Sequence, residues 1–350
     1  MEFSIQLSAY YPDHDLGGDR LYRNMLDQAV LADELGFDAV SITEHHLINI
    51  LLMPAPLQFA VKIAGLTRQI KIMTSVVVLP LHDMRVYAGE VVCADIFTEG
   101  RLMLGVGRGA FGFEMDRMGV PLDISREKFD ESLDVLQALL SEREVSWNGK
   151  YYQFDALTIM PRPVERGGPP IMMAVMVPEA IYHCTRRGFH IQTTPLSGSH
   201  GHMMNQVDAF RRGKDELGEA GKDLTLTLSR VAFLADNDAD KRRKTELAHH
   251  YYGQFDNVYT GEGIVEQGLI APIPRKVPIE QTAENLHICT PAEMIDQLGP
   301  YAEAGVDRFI LNVNFGISQS ETLDCIQRFA EEIMPAFTGR AAGLPQAVNA

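Results

Sequence analysis

Apolar and polar positions along the chain alternate between two rhythms. Short runs of β-branched and aliphatic residues are followed by longer stretches whose apolar residues recur three or four positions apart. This alternation is the signature of a parallel sheet joined by helical crossovers. The runs predict strands near Phe3–Ser8, Asp38–Thr43, Lys71–Val78 and Arg101–Val106, then near Ile171–Val175, Phe189–Thr193, Leu224–Leu234 and Arg308–Asn314. Eight strands with helices between them fit a (β/α)8 TIM barrel, whereas doubly wound sheets usually have fewer. Between Leu21 and Leu35, Leu26, Val30 and Leu31 fall at helical spacing, and Gly36 supplies a left-handed stop. Leu35-Gly36-Phe37-Asp38 and Ala304-Gly305-Val306-Asp307 read as two instances of one helix-to-strand connector.

Two segments break the alternation. Trp147-Asn148-Gly149-Lys150 has Asn-Gly turn chemistry between β-prone flanks and predicts a small hairpin outside the barrel. Gly253–Leu286 is longer than an ordinary connection and rich in Gly, Pro and charge. It follows the seventh strand, on the face where barrels keep their chemistry, and is read as a lid loop. Residues 1–338 form one barrel domain, with a frayed tail from Gly339.

Composition narrows the partners. In 350 residues, 31 Lys and Arg against 47 Asp and Glu give a net charge of -16. That balance disfavours nucleic acid or an anionic membrane as a partner, since both need a basic surface. Cys93, Cys184, Cys289 and Cys325 are scattered without a CxxC pair and are expected to be reduced. The N-terminus lacks a basic n-region and no apolar run is long enough to span a bilayer, so the expected location is cytoplasmic.

In a barrel, chemistry gathers at the C-terminal ends of the strands. There stand Thr43, Glu44, His45 and His46 after the second strand, and His82, Asp83 and Arg85 after the third. Gly107, Arg108 and Gly109 follow the fourth, with Arg126 opening the next helix, and Asn312 and Asn314 end the eighth. Adjacent His45 and His46 point to opposite sides of an extended segment, and no HExxH accompanies them, so no metal site is expected. No GxSxG elbow offers a serine nucleophile, and His249-His250 reads as a solvated helix face. Gly105-Val106-Gly107-Arg108-Gly109 could bring backbone N–H groups and a guanidinium to a phosphate, and Arg126 could clamp the same anion.

These residues, in this order, resemble the bacterial luciferase-like flavin monooxygenases. The resemblance runs from Leu35-Gly36-Phe37-Asp38 and Thr43-Glu44-His45-His46 through Val76-Val77-Val78-Leu79-Pro80 and Glu99-Gly100-Arg101. It continues in Gly105–Gly109, Ser125-Arg126, Pro169-Pro170-Ile171 and Thr290-Pro291-Ala292-Glu293, and covers Phe3 to Pro335. It implies that His45 is the active-site histidine beside the isoalloxazine, with Glu44 and His46 supporting it. It implies further that Arg108 and Arg126, with Gly107 and Gly109 between, hold the phosphate of flavin mononucleotide (FMN). Ser75-Val76 matches a non-prolyl cis peptide under the flavin ring. Gly107 replaces a cysteine of the luciferase α-subunit. Met176, Val177 and Ala180 stand where the family has hydroxyl-bearing phosphate contacts, and Met176 and Val177 are expected to face the pocket.

The activity implied is that of the oxygenase half of a two-component monooxygenase. It would use O2 and reduced FMN from a separate NAD(P)H-dependent flavin reductase. A flavin hydroperoxide would then oxygenate a small, largely apolar organic substrate. A homodimer is also implied. Two alternatives stay open: a deazaflavin-dependent, hydride-transferring oxidoreductase, and a non-catalytic flavin-binding subunit.

Overall fold

Apolar strands that are covered on both faces can be buried almost whole, and here they are: every residue of Ala39–Ile42 is buried. The computed structural model describes residues 1–7 and 9–338; the expected frayed tail lies outside the described residues. The barrel strands are β1 Glu2–Gln6, β2 Ala39–Ile42, β3 Lys71–Thr74, β4 Leu102–Gly107, β5 Ile171–Ala174, β6 His190–Thr193, β7 Leu226–Leu234 and β8 Arg308–Asn312. Each pairs in parallel with the next, and β8 returns to β1 with Arg308 opposite Glu2, so the sheet closes. All eight predicted strands are present. The third is shorter than expected: it stops at Thr74, the Ser75–Val76 peptide is cis, and Val77–Val78 then pairs with the end of β4.

Inside the barrel, Ala39, Met73, Met172 and Ile310 pack together as an apolar plug. Ion pairs lie at the strand starts: Arg308 meets Glu2 and Asp38, each at 2.6 Å, and Lys71 meets Asp38 at 2.8 Å. The plug leaves the C-terminal mouth to the polar residues. The predicted hairpin forms from Val145–Asn148 and Gln153–Leu157, with Gly149 in the turn.

The segment after β7 departs from expectation. Helix Asp238–Tyr259, capped by Asn237, runs straight through Gly253, so the first residues of the expected loop are helical. Gly253 reads as a breaker, yet it serves a close approach: a Cβ there would sit 2.9 Å from the Ile273 carbonyl. The rest is built structure as well. Val265–Glu266 pairs with Leu269–Ile270, a helix spans Ile279–Asn285, and His287–Cys289 adds to the end of β7. Asn257 Nδ2 donates to the Ile264 and Ala271 carbonyls at 3.1 and 2.6 Å, and Ile270 N–H donates to Asn49 Oδ1 at 2.9 Å. The insertion is a docked roof rather than a loose loop.

Candidate active site

A cavity of about 510 Å³ opens at the C-terminal ends of the strands. Among the sequence candidates it is lined by Thr43, Glu44, His45, Ser75, Val76, Gly107, Arg108, Gly109, Met176 and Asn312. Arg126 and Val177 are not brought to it. Arg126 is exposed on helix Leu122–Ser141, one turn past cavity-lining Leu122, and Val177 is 63% exposed where helix Pro178–Arg186 begins. Arg126 instead lies near Asp130 and Cys184, because its helix turns that residue outward.

The segment after β2 separates its two histidines, as alternation requires. His45 lines the cavity, its ring stacked on Phe111 at 4.4 Å, and its Nδ1 lies 2.7 Å from Glu114 Oε2. Glu114 also accepts the backbone N–H of His46 and is 4% exposed. His46 turns the other way, to Glu44, with Nε2 3.0 Å from Glu44 Oε1. His82 Nε2 lies 2.8 Å from the same oxygen, and Val78 N–H donates to Oε2 at 2.7 Å. Burial of Glu44 works against its charge, but the hydrogen bonds from His46, His82 and Val78 outweigh it and hold the carboxyl down at about 2. The hydrogen bond to Glu44 raises His46 against the opposing effect of burial. Glu44 is thus a permanent carboxylate that fixes the loops after β2 and β3, and it has no proton to give near neutrality.

The glycine-rich run has a structural reason at each position. A Cβ on Gly105 would lie 2.0 Å from the Thr74 carbonyl, and one on Gly107 would lie 2.6 Å from Val76 Cγ2. Gly109 holds a φ of +82°, which favours glycine. The run therefore lets the Ser75–Val76 segment press against β4. Ser75 Oγ donates to Gln192 Oε1 at 2.9 Å, and Gln192 Nε2 donates back to the Thr74 carbonyl at 3.1 Å. Arg108 is exposed beside the cavity and makes no hydrogen bond or ion pair among the described residues.

Several site residues were not evident from the sequence. Glu114 sits in a helix of six residues, Gly112–Arg117, too short to register as a period. Gln192 and Arg230 lie within strands that read simply as core. The roof aromatics left a usable signal: Tyr251, Phe255 and Tyr259 recur every fourth residue and face the cavity with Tyr252. Phe111 meets Phe255 and Tyr259 edge-on at 5.3 and 6.1 Å. Burial pushes the Tyr252 hydroxyl up to about 12, so it stays protonated.

Comparison with known proteins agrees on the family and includes both flavin- and F420-dependent members. The family model of luciferase-like monooxygenases matches residues 1–308. The oxygenase component of a flavin-dependent trigonelline monooxygenase from Acinetobacter baylyi is 27% identical over 329 residues, covering 91% of each chain. An F420-dependent glucose-6-phosphate dehydrogenase from Beutenbergia cavernae is 25% identical, covering 91% of this chain and 94% of its own. The crystal structure of a monooxygenase from Streptomyces bottropensis superposes with a TM-score of 0.82 at 23% identity, covering 97% of this chain and all of the other, and so shares the fold.

Proposed function

The chain belongs to the luciferase-like monooxygenase family, and from that premise we propose that it is the oxygenase component of a two-component flavin-dependent monooxygenase. It takes reduced FMN from a separate NAD(P)H-dependent reductase and uses O2 to oxygenate a small organic molecule. The observation that carries this reading is His45, on the wall of a cavity that Ser75, Val76 and the Gly107–Gly109 turn also line, with its Nδ1 held 2.7 Å from buried Glu114.

The residues present fit a flavin. At about 510 Å³ the cavity is of cofactor-site size. Cavity-lining Thr193 has a buried hydroxyl with no partner among the described residues. Arg108 has a free guanidinium for a phosphate. The helix Pro178–Arg186 starts beside Met176 without a side-chain cap, leaving backbone N–H groups for the same anion. Reduced flavin, when bound, supplies the two electrons that activate O2. The chain's own groups do the rest. Glu114 fixes a proton on His45 Nδ1 and leaves Nε2 to accept or return another. Phe111, Phe255 and Tyr259 form an apolar wall that excludes water. A homodimer belongs to the same proposal.

One observation favours a second reading, hydride transfer with a deazaflavin. Met176, Val177 and Ala180 bring no hydroxyl to the start of helix Pro178–Arg186, and a relative named as F420-dependent covers nearly the whole chain. Anaerobic titration separates the two. Photoreduced FMN should bind more tightly than oxidised FMN and raise the melting temperature, and O2 should then be consumed with substrate. Binding of reduced deazaflavin without any response to reduced FMN would replace the first reading by the second.

A further inference from the structure

Among the described residues, the other buried cations, Lys244 and Arg308, are matched to carboxylates. Lys244 meets Asp240 at 2.6 Å, Arg308 meets Glu2 and Asp38, and the enclosed guanidinium of Arg275 meets Asp256 at 2.8 Å. Arg230, on β7 and 2% exposed, breaks the pattern. Its Nη1 donates to Tyr301 Oη at 2.9 Å, and its Nη2 donates to the carbonyls of Gly198, at 2.9 Å, and Asn285. Its Nε has no partner, and no carboxylate lies within ion-pair distance among the described residues.

Neutral acceptors satisfy hydrogen-bond geometry but leave the charge uncompensated. A guanidinium cannot shed its proton to escape burial. The positive field is felt nearby: burial first, and then Arg230, drive His287 down to about 3. Asp256, an acid on the roof helix, is already committed to Arg275. Arg230 also lines the same cavity as His45, beside Leu196 and Tyr252. A buried, unmatched cation on the wall of a cavity is a site prepared for an anion that arrives with a ligand.

We infer that the β7 side of this cavity is an anion subsite, in which Arg230 receives the carboxylate of an organic-acid substrate whose carbon skeleton lies against Tyr252 and Phe255. The inference rests on the flavin monooxygenase reading only in calling that ligand the substrate. It changes the expected substrate from a largely apolar molecule to an amphipathic acid. The alternative source of an oxyanion is the phosphate of the flavin, for which exposed Arg108 is the competing cation.

The test is calorimetric titration of the flavin-free protein with benzoate and with benzamide, which differ little in shape but carry different charge. Benzoate should bind at least tenfold more tightly, and the preference should vanish in Arg230→Gln and partly survive in Arg230→Lys. The preference of FMN over riboflavin should be the same in Arg230→Gln as in the wild type. Equal binding of benzoate and benzamide by the wild type overturns the inference whether or not any variant folds. So does a benzoate preference that persists in Arg230→Gln. Selective loss of FMN over riboflavin in that variant would assign Arg230 to the cofactor's phosphate and overturn the substrate subsite. If photoreduced FMN fails to bind while the benzoate preference stands, the flavin reading falls and the anion subsite remains.

Discussion

At the scale of single residues, the site divides into two carboxylates with different work. Glu44 is held ionised at about 2 by two histidines and a backbone N–H, and it fixes loop geometry. Glu114 contacts Nδ1 of the histidine on the cavity wall at 2.7 Å and orients its ring. Removing the charge while keeping the shape therefore tests Glu114 as a positioning residue. Glu114→Gln should keep flavin affinity within about twofold while lowering kcat by roughly 10- to 100-fold, within the range proton transfer contributes. His45→Ala should lose at least as much, and the double variant should lose no more than His45→Ala alone. A Glu114→Gln enzyme with unchanged kcat, or a double variant that loses more than His45→Ala alone, would reduce Glu114 to a structural contact.

At the scale of elements, the barrel was legible because its signal, a largely buried apolar strand, is repeated eight times. The hairpin was legible through one Asn-Gly pair. The roof was not, because its helix contains a glycine whose reason is tertiary: the Ile273 carbonyl crosses where a Cβ would stand. For the same reason, residues whose neighbours come from distant segments could not be placed. Glu114 reaches His45 across 69 positions, and Ser75 reaches Gln192 across 117. The turn that identified Arg108 is local, whereas the outward rotation of Arg126 depends on how its helix packs. Gly253→Ala tests the account of the roof. The added methyl should push the segment carrying Ile273 away, at about 1–3 kcal/mol of local strain. Hydrogen exchange across residues 260–285 should speed up, with little change in the barrel strands. If exchange there is unaltered, the close approach is not what holds the roof down.

At the scale of the whole molecule, the two ends of the barrel carry their charges for different purposes. The strand starts hold Arg308 between Asp38 and Glu2, none of which lines the cavity, and conserve shape. The strand ends hold Glu44 beside the cavity. Both acids are lowered in the fold: in Asp38, burial opposes its charge, and Arg308 and Lys71 overcome it. An acid with a folded pKa below its unfolded value adds stability that is present above the unfolded pKa and lost as the pH falls through the folded one. For Glu44 that window runs from 4.5 down to about 2, or about 3 kcal/mol by linkage. His46 has the opposite sign, because its raised pKa adds stability below 6.5 that is lost as the pH climbs through the folded value. Urea unfolding should therefore find Glu44→Gln about 3 kcal/mol less stable than the wild type near pH 6. The gap should close toward pH 2, and flavin binding should be impaired as the loops after β2 and β3 loosen. Asp38→Asn should also lose stability in a way that fades with acid, yet bind reduced FMN as the wild type does. If Asp38→Asn and Glu44→Gln impaired flavin binding equally at pH 7, the two ends would not be independent. The division of the barrel into a structural end and a chemical end would then have to be abandoned.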